Sequence, residues 1–323
     1  MKLTGIREAY GETLAALGEI YPEIVVLDAD LSGSTKTSLF AKKFPDRFFN
    51  MGVAEQNMMG TAAGLAASGK TVFASTFAIF ASGRAWEQVR YNIVYNKLNV
   101  KIVASHGGVT VGEDGGSHQS AEDIAIMRVL PGMRVIVPMD GKEMQEVIKA
   151  AVKIPGPFYI RSSRIKFPLI LGDDYTFNLG KGKIIKEGKD ISLTGCGLMV
   201  SHCLEAAEIL AKEGIAARVV NLSTIKPIDE ELLIDCALNT CGIVTAEEHS
   251  VIGGLGSAVA EVLSEKSPTH IVRVGVQDKF GVSGTAPDLL EYLGLKPDNI
   301  VQAAKKIMEL SSKKIEHVLR AAK

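Results

Sequence analysis

The sequence of 323 residues lacks a continuous apolar run of the roughly 20 residues that a membrane-spanning helix needs. Its opening residues, Met-Lys-Leu-Thr-Gly, do not begin the apolar segment of a signal peptide. A basic excess is also lacking, since 36 Lys and Arg stand against 37 Asp and Glu, and the charges are interspersed. We therefore expect a globular protein that binds neither a membrane nor nucleic acid.

Cysteine is scarce, with only four in the chain, and no two of them form a Cys-x-x-Cys pair: Cys196, Cys203, Cys236 and Cys241. A free cysteine packs as a small hydrophobic residue, so buried thiols are the simpler interpretation and a metal or redox site is the alternative. Because nothing indicates a disulfide framework, we expect a reducing compartment, the cytoplasm.

Strand-like and helix-like segments alternate along the first half of the chain. The sequence predicts strands at 23–27, 48–50, 100–105 and 134–137, and helices at 8–20, 57–68, 83–95 and 141–152. This alternation predicts a mostly parallel sheet covered by helices.

A break follows Arg161. Residues 166–180 show no sustained periodicity and contain a proline and a Gly-Asp-Asp turn, as a linker would. Beyond it, strands are predicted at 191–194, 217–221, 242–246 and 270–274, and helices at 201–213, 229–238, 255–263, 286–293 and from Pro297 onwards. We predict an α/β fold of two domains, 1–165 and 181–323, each with a mostly parallel sheet flanked by helices.

The most informative segment is a loop after the predicted strand at 100–105. Residues 109–119 read Val-Thr-Val-Gly-Glu-Asp-Gly-Gly-Ser-His-Gln, and their glycines permit positive φ. Asp114 and His118 lie among these glycines, and His106 comes shortly before them. Acid, base and close backbone approach in one loop are what a proton-transfer site on a polar substrate needs.

Two motifs resemble those of the transketolase family of thiamine diphosphate enzymes. The loop at 109–119 is similar to the family's active-site loop, and residues 52–56, Gly-Val-Ala-Glu-Gln, are similar to the signature of its pyrimidine-binding domain. The resemblance covers almost the whole chain but only the C-terminal half of a full-length transketolase. It implies a thiamine diphosphate-binding pyrimidine domain followed by the transketolase C-terminal domain.

The resemblance also implies which residues bind the cofactor. Glu55 would hydrogen-bond N1′ of the aminopyrimidine and so activate the cofactor, which supplies the carbon–carbon chemistry. By position alone, an acid near a helix N-terminus is also explained by the helix dipole. Phe77 and Phe80 would contact the pyrimidine, although two phenylalanines three apart are usually core residues. Asp30 would lie near the thiazolium, and Gly83 stands where the family often has a further aromatic residue.

On the substrate side, the resemblance implies that Asp114 contacts the C2 hydroxyl of the sugar and that His118 assists proton transfer. His106 would contact the hydroxyls or the phosphate of the sugar, and an imidazole suits proton traffic near neutral pH. The catalytic set is thus Glu55, His118, His106 and Asp114.

The resemblance also implies that Arg7, Ser34 and Arg161 bind the phosphate of the substrate. A guanidinium group binds phosphate oxygens bidentately, so two arginines converging with Ser34 would suit a sugar phosphate. A lone arginine is otherwise usually a solvated surface charge.

One element of the family is missing. Thiamine diphosphate enzymes hold the diphosphate through Mg²⁺ with a Gly-Asp-Gly segment followed by Asn, and no Gly-Asp-Gly segment occurs here. We therefore expect no metal site on this chain and a separate N-terminal subunit that carries the diphosphate and Mg²⁺. Because full-length family members dimerise with active sites between subunits, an α2β2 assembly is the natural inference.

The sequence thus predicts the C-terminal subunit of a split transketolase of the pentose phosphate pathway, which transfers a two-carbon ketol unit between sugar phosphates. The alternatives are a deoxyxylulose-phosphate synthase-like subunit, a 2-oxoacid dehydrogenase beta subunit and a non-catalytic regulatory subunit. The loop motif favours transketolase over the dehydrogenase subunit. The loop of the synthase is similar, and His106 favours transketolase over it.

Two C-terminal features are discounted. The glycines of residues 253–257 form only part of a dinucleotide-binding fingerprint, and a turn that begins a helix is the simpler interpretation. The run Glu247-Glu248-His249 has no partner ligands at a useful spacing for a metal ion.

Overall fold

The computed structural model describes residues 2–321, and the side chains of residues 2–312. The predicted second domain ends at residue 323, so its last two residues lie outside the described part. In chain order the strands of the first half are β1 (Leu3–Gly5), β2 (Ile24–Asp28), β3 (Phe48–Asn50), β4 (Thr71–Phe77), β5 (Val100–Ser105), β6 (Arg134–Ile136), β7 (Phe158–Arg161) and β8 (Lys166–Pro168).

The helices of this half are α1 (Ile6–Ile20), α2 (Ser32–Thr35), α3 (Ser38–Lys43), α4 (Glu55–Ala67), α5 (Trp86–Gln88), α6 (Asp123–Arg128) and α7 (Gly141–Lys153). Every residue of β2, β4, β5 and β7 is buried, as expected for parallel strands with helices on both faces.

The second half contributes β9 (Lys183–Lys186), β10 (Ile191–Gly195), β11 (Ala217–Asn221), β12 (Thr224–Lys226), β13 (Ile243–Ser250) and β14 (Ile271–Val276). Its helices are α8 (Met199–Lys212), α9 (Glu230–Asn239), α10 (Leu255–Lys266), α11 (Ala286–Tyr292) and α12 (Pro297–Ala321). No helix within residues 2–321 is long and apolar enough to cross a membrane.

Two larger sheets organise these elements. The first has the order β12-β6-β7-β5-β4-β2-β3 and the second the order β14-β13-β10-β11-β9. All pairings are parallel except those of the edge strands β12 and β9. The prediction of an α/β fold with mostly parallel sheets flanked by helices is therefore confirmed.

The two halves are packed into one another. Strand β12 comes from the second half of the chain but pairs with β6 of the first sheet. Both clusters of buried hydrophobic side chains contain residues from both halves, for example Ile6 with Ile307 in one and Val25 with Leu263 in the other. This shared core holds the second half at a fixed place beside the first sheet.

The stretch between the halves is tied down by Asp140, the N-cap of α7. One oxygen of Asp140 accepts a hydrogen bond from the backbone of Glu143, as N-caps do. The other accepts from the backbone N–H groups of Ile170 and Leu171, both at 2.9 Å. Strand β8 also pairs with β1, so the chain here is fixed against the first half.

The secondary structure differs from the predictions at the centre of the first sheet. Strands β4 and β7 were not predicted, because Thr-Val-Phe-Ala-Ser-Thr-Phe is interrupted by small and polar residues and β7 is only four residues long. The predicted helix at 83–95 is a succession of wide helical turns, with i→i+5 bonds from Ala85 to Phe80 and from Tyr95 to Arg90. Such π-type turns are frequent at functional sites.

Candidate active site

The predicted site residues gather where the central parallel strands end. Phe77 is the last residue of β4, and His106 directly follows β5. Asp30 follows β2 by two residues. In open α/β sheets the carboxyl ends of the strands form the crevice that binds ligands, so the topology brings together residues that are far apart in the sequence.

Glu55 begins α4, and only 1% of its surface is exposed. The partial positive charge of a helix N-terminus favours a carboxylate there. Both carboxylate oxygens accept hydrogen bonds from Nη1 of Arg84, at 3.0 and 2.9 Å. Arg84 was not predicted, because its segment was assigned to a regular helix. The wide turn at 80–84 places it over the carboxylate instead.

Two phenylalanines and two histidines form an aromatic cluster next to this ion pair. The rings of Phe77 and His106 are stacked with centroids 3.7 Å apart, and Phe80 meets His118 edge to face at 5.4 Å. The guanidinium of Arg84 lies 4.5 Å from the centre of the Phe80 ring, which connects the cluster to Glu55. Flat apolar faces beside a buried carboxylate suit a heteroaromatic ring with a nitrogen at its edge, which fits the pyrimidine of the cofactor.

His106 is buried and has a φ of 60°, a conformation rare for residues other than glycine. Its Nδ1 is paired with Oγ of Ser105 at 2.8 Å. Burial, reinforced by the nearby cations Arg7 and Arg164, lowers the pKa of His106 to about 3. The imidazole is therefore neutral at physiological pH and can donate or accept a hydrogen bond without carrying charge.

A pair of arginines, Arg7 and Arg164, lies close enough to His106 to act on the charge of its imidazole. Arg7 donates to the backbone oxygens of Ser34 at 2.8 Å and of Arg164 at 2.9 Å. Arg164 in turn approaches Oδ2 of Asp114 at 3.3 Å. The structure thus brings Arg7, Ser34 and Asp114 together around Arg164. Arg164 was not among the predicted site residues, although it stands three residues beyond Arg161.

Arg161 is placed elsewhere, and this corrects the predicted set. Its guanidinium is buried, with Nε 2.8 Å and Nη2 3.1 Å from the two carboxylate oxygens of Asp123. Nη2 also donates to the backbone oxygens of Ser120 and Glu248. Because Arg161 is buried and its charge is already paired with Asp123, it is not available to a phosphate beside Arg7 and Ser34.

Asp30 is exposed, with a φ of 63°, and its Oδ1 accepts a hydrogen bond from Asn50 at 2.8 Å. The neighbouring Asp28 is buried and accepts hydrogen bonds from the hydroxyls of Thr35 and Thr37. These bonds hold the turn that carries Ser34, so Asp28 has the structural role expected of an aspartate in a turn.

The side chains of the run Glu247-Glu248-His249 have three separate sets of partners. Glu247 accepts hydrogen bonds from the backbone of Leu255 and Gly256 at the start of α10, which puts an internal carboxylate where a ligand's phosphate would bind. Glu248 faces the loop after β5, and Nδ1 of His249 is 2.7 Å from the oxygen of Ser250. Within the described residues, no three His, Cys, Asp or Glu side chains are grouped so that they could hold a metal ion.

Known proteins match the chain over almost its whole length. Residues 4–168 match the pyrimidine-binding domain of transketolase, and residues 180–300 match the transketolase C-terminal domain. A protein of Methanocaldococcus jannaschii named for the C-terminal section of transketolase is 53% identical, over 94% of this chain and 96% of its own. A 6-deoxy-6-sulfo-D-fructose transketolase subunit of Clostridium sp. is 43% identical, over 94% of each chain.

Two further comparisons bear on how much of a transketolase this chain represents. The transketolase of Rattus norvegicus is 39% identical, and the match takes in 93% of this chain but 48% of the rat protein. A solved structure of a split gene transketolase, an inactive beta4 tetramer, superposes with a TM-score of 0.88 at 54% identity. It covers 95% of this chain and 99% of that one.

The fold and both matched domains are those of an enzyme family that depends on thiamine diphosphate. The chain belongs to the transketolase family, of which it represents the pyrimidine-binding and C-terminal domains.

Proposed function

We propose that this chain is the C-terminal subunit of a two-subunit transketolase that transfers a two-carbon ketol unit between sugar phosphates. The observation that carries the proposal is the buried carboxylate of Glu55, beside the aromatic cluster at the strand ends. The arginine pair of Arg7 and Arg164 also lies near His106. A cofactor ring and an anionic substrate would therefore meet at His106.

In this proposal Glu55 holds the pyrimidine of thiamine diphosphate at its ring nitrogen, and Phe77 and Phe80 contact the ring. The cofactor supplies the carbon–carbon chemistry when it is bound. Asp30 lies at the edge of the same crevice and would lie near the thiazolium. Each of these residues would orient the cofactor, and Glu55 would exchange a proton with its ring nitrogen.

The substrate side is formed by the loop after β5 and by the arginine pair. Arg7 and Arg164 bind the terminal phosphate together with Ser34, because guanidinium groups match its oxygens in charge and geometry. Arg164 takes the place that the sequence analysis gave to Arg161. The same pair would accept another terminal anion, such as the sulfonate implied by the name of the Clostridium relative.

Three polar side chains remain for the hydroxyls of the sugar. Neutral His106 donates a hydrogen bond without repelling the arginines, and Asp114 accepts one from the C2 hydroxyl. His118, half-buried against Phe80, moves a proton at the reacting hydroxyl.

The diphosphate and Mg²⁺ are assigned to an N-terminal partner subunit. Two observations support this: the sequence has no Gly-Asp-Gly segment, and the match extends over only 48% of the rat enzyme. We propose an α2β2 complex with the cofactor between subunits, working in the cytoplasm on intermediates of the pentose phosphate pathway.

The proposal is tested by a ketol-transfer assay from xylulose 5-phosphate to ribose 5-phosphate, with thiamine diphosphate and Mg²⁺. This chain would be compared alone and co-expressed with a partner subunit that carries Gly-Asp-Gly. We expect turnover only with the partner. Turnover by this chain alone would contradict the division of the site, and no turnover by a complex that binds the cofactor would contradict the proposed substrates.

A further inference from the structure

A carboxylate from the second half of the chain contacts the start of the loop after β5. Glu248 lies in β13, and only 4% of its surface is exposed. Its Oε1 accepts hydrogen bonds from the backbone N–H groups of Val109 at 2.7 Å and Thr110 at 2.6 Å, and from the Thr110 hydroxyl at 2.7 Å. Three donors from a segment 138 or 139 residues away thus converge on one oxygen.

The backbone of the loop is shaped to receive this carboxylate. Gly108 has a φ of +91°, and a Cβ atom at this position would collide with the carboxylate of Glu248. A side chain at residue 108 is therefore excluded both by the backbone conformation and by Glu248. The contact is direct, and it lies two residues from His106.

The charge of Glu248 is partly compensated by a nearby arginine. Nη2 of Arg161 donates to the backbone oxygen of Glu248 at 3.0 Å, and the same guanidinium is bound by Asp123. Burial raises the pKa of the Glu248 carboxyl, but Arg161 and the Thr110 and Val109 donors act in the opposite direction. Arg161 thus belongs to the support of the loop.

A second segment of the C-terminal half holds the other end of the loop. The amide of Gln119 donates to the backbone oxygen of Val282 at 2.9 Å and to that of Val109 at 3.2 Å. A Cβ atom on Gly116 would come within 2.7 Å of the oxygen of Gly281. The loop that carries Asp114 and His118 is therefore held at its start and at its end by residues from beyond the linker.

We propose that Glu248 is a positioning residue for the reaction: it fixes residues 108–110, and through them it fixes where His106 and Asp114 meet the substrate. Glu248 itself touches neither cofactor nor substrate. This inference rests on the proposed function for its kinetic consequence, while its structural part concerns the loop alone. It gives the C-terminal domain a role in the active site of its own chain.

Glu247 provides a matched control. It precedes Glu248 on the same strand, is equally buried and also accepts two backbone hydrogen bonds, but from Leu255 and Gly256 at the start of α10. A loss of stability should be common to substitutions at both positions. A displaced substrate loop should follow only from substitution of Glu248.

The first test is hydrogen–deuterium exchange on the isolated chain, which needs no turnover. We expect Glu248→Ala to speed amide exchange in a peptide covering residues 107–118, with Glu248→Gln intermediate because its carbonyl oxygen still accepts. The matched substitution Glu247→Ala should leave this peptide unchanged and speed exchange at the start of α10. Unchanged exchange in residues 107–118 of Glu248→Ala would overturn the inference.

The second test is ketol transfer by the assembled complex. Displacing reacting groups by about 1 Å can cost about 100-fold in rate, so we expect kcat/KM of Glu248→Ala to fall by about 10- to 100-fold, with substantial recovery in Glu248→Gln. Glu247→Ala should lower the Tm but keep kcat/KM within about twofold. Equal losses of kcat/KM in Glu248→Ala and Glu247→Ala would overturn the positioning role. An inactive wild-type complex would instead refute the proposed function. In that case the exchange experiment would still decide whether Glu248 holds the loop.

Discussion

Arg84 binds both carboxylate oxygens of Glu55, at 3.0 and 2.9 Å, although the arginine is half-exposed and the glutamate is almost completely buried. The pair spans the boundary between the interior at the start of α4 and the open edge of the sheet. Arg84 thus compensates the buried charge and, through its contact with Phe80, also forms one wall of the aromatic cluster.

Removing Arg84 should therefore destabilise the chain. Arg84→Ala leaves the Glu55 carboxylate buried without its partner, and because the arginine is half-exposed we expect a cost of about 1–2 kcal/mol. This corresponds to a fall in Tm of roughly 1.5–3 °C for a chain of this length. Thermal unfolding of the variant measures it.

The double variant Glu55→Gln/Arg84→Ala is the control for this prediction. Once the carboxylate is neutral, loss of Arg84 should cost clearly less than it does in the wild-type background. Additive changes in Tm would show that the two side chains do not interact in solution.

Substitutions of Arg164 and Arg161 should have different effects, the first on substrate binding and the second on stability. Arg164→Gln removes half of the proposed phosphate site, so we expect KM for ribose 5-phosphate to rise about 10- to 100-fold, as the loss of a charged hydrogen bond implies. The Tm should change little. Steady-state kinetics with the assembled complex measure the effect.

Arg161→Gln should do the reverse, because it leaves Asp123 buried and without its ion-pair partner. We expect a lower Tm or a loss of folded protein. A stable Arg161→Gln variant with a raised KM for the phosphorylated substrate would restore Arg161 to the phosphate site at the expense of Arg164.

His106 should remain neutral across the physiological range. Burial, with the cations Arg7 and Arg164, lowers its pKa to about 3. Its ¹⁵N and ¹³C imidazole resonances in the isolated chain should therefore not titrate between pH 5 and 8, with His106→Asn used to assign them. A transition near pH 6.5 in these resonances would contradict the structure.

The same shift makes stability depend on pH. The unfolded histidine has a pKa near 6.5, above the folded value, so below about pH 6.5 the unfolded state binds the proton more readily. The contribution of His106 to stability is thus complete above pH 6.5 and is lost as the pH falls towards 3. The decrease in Tm from pH 7 to pH 5 should be smaller in His106→Asn than in the wild type.

Sequence patterns predicted the layers of the fold because buried parallel strands and their helices have distinct periodicities. Strand β4 was not predicted, because small and polar residues lower its apolar character. Yet this strand places Phe77 at the edge of the sheet. That Phe77, His106 and His118 meet follows from motifs and parallel topology together. The sequence alone did not predict that the rings of Phe77 and His106 stack.

What could not be predicted depends on contacts between distant segments. Only the fold shows that Asp123 binds Arg161, and only then does Arg164 become the partner of Arg7. Glu248 was considered solely as a metal ligand, because its bonds to Thr110 join segments 138 residues apart. The position of Arg84 depends on a wide helical turn that apolar periodicity does not reveal.

The most direct test of the central proposal is ketol transfer by the partner complex carrying Glu55→Gln, with thiamine diphosphate and Mg²⁺ at saturation. Glutamine keeps the shape of the side chain but cannot exchange the proton, so we expect kcat to fall by about 100-fold or more, while the variant chain still folds and assembles. Near-normal kcat in Glu55→Gln would contradict the assignment of Glu55 to the cofactor and, with it, this account of the site.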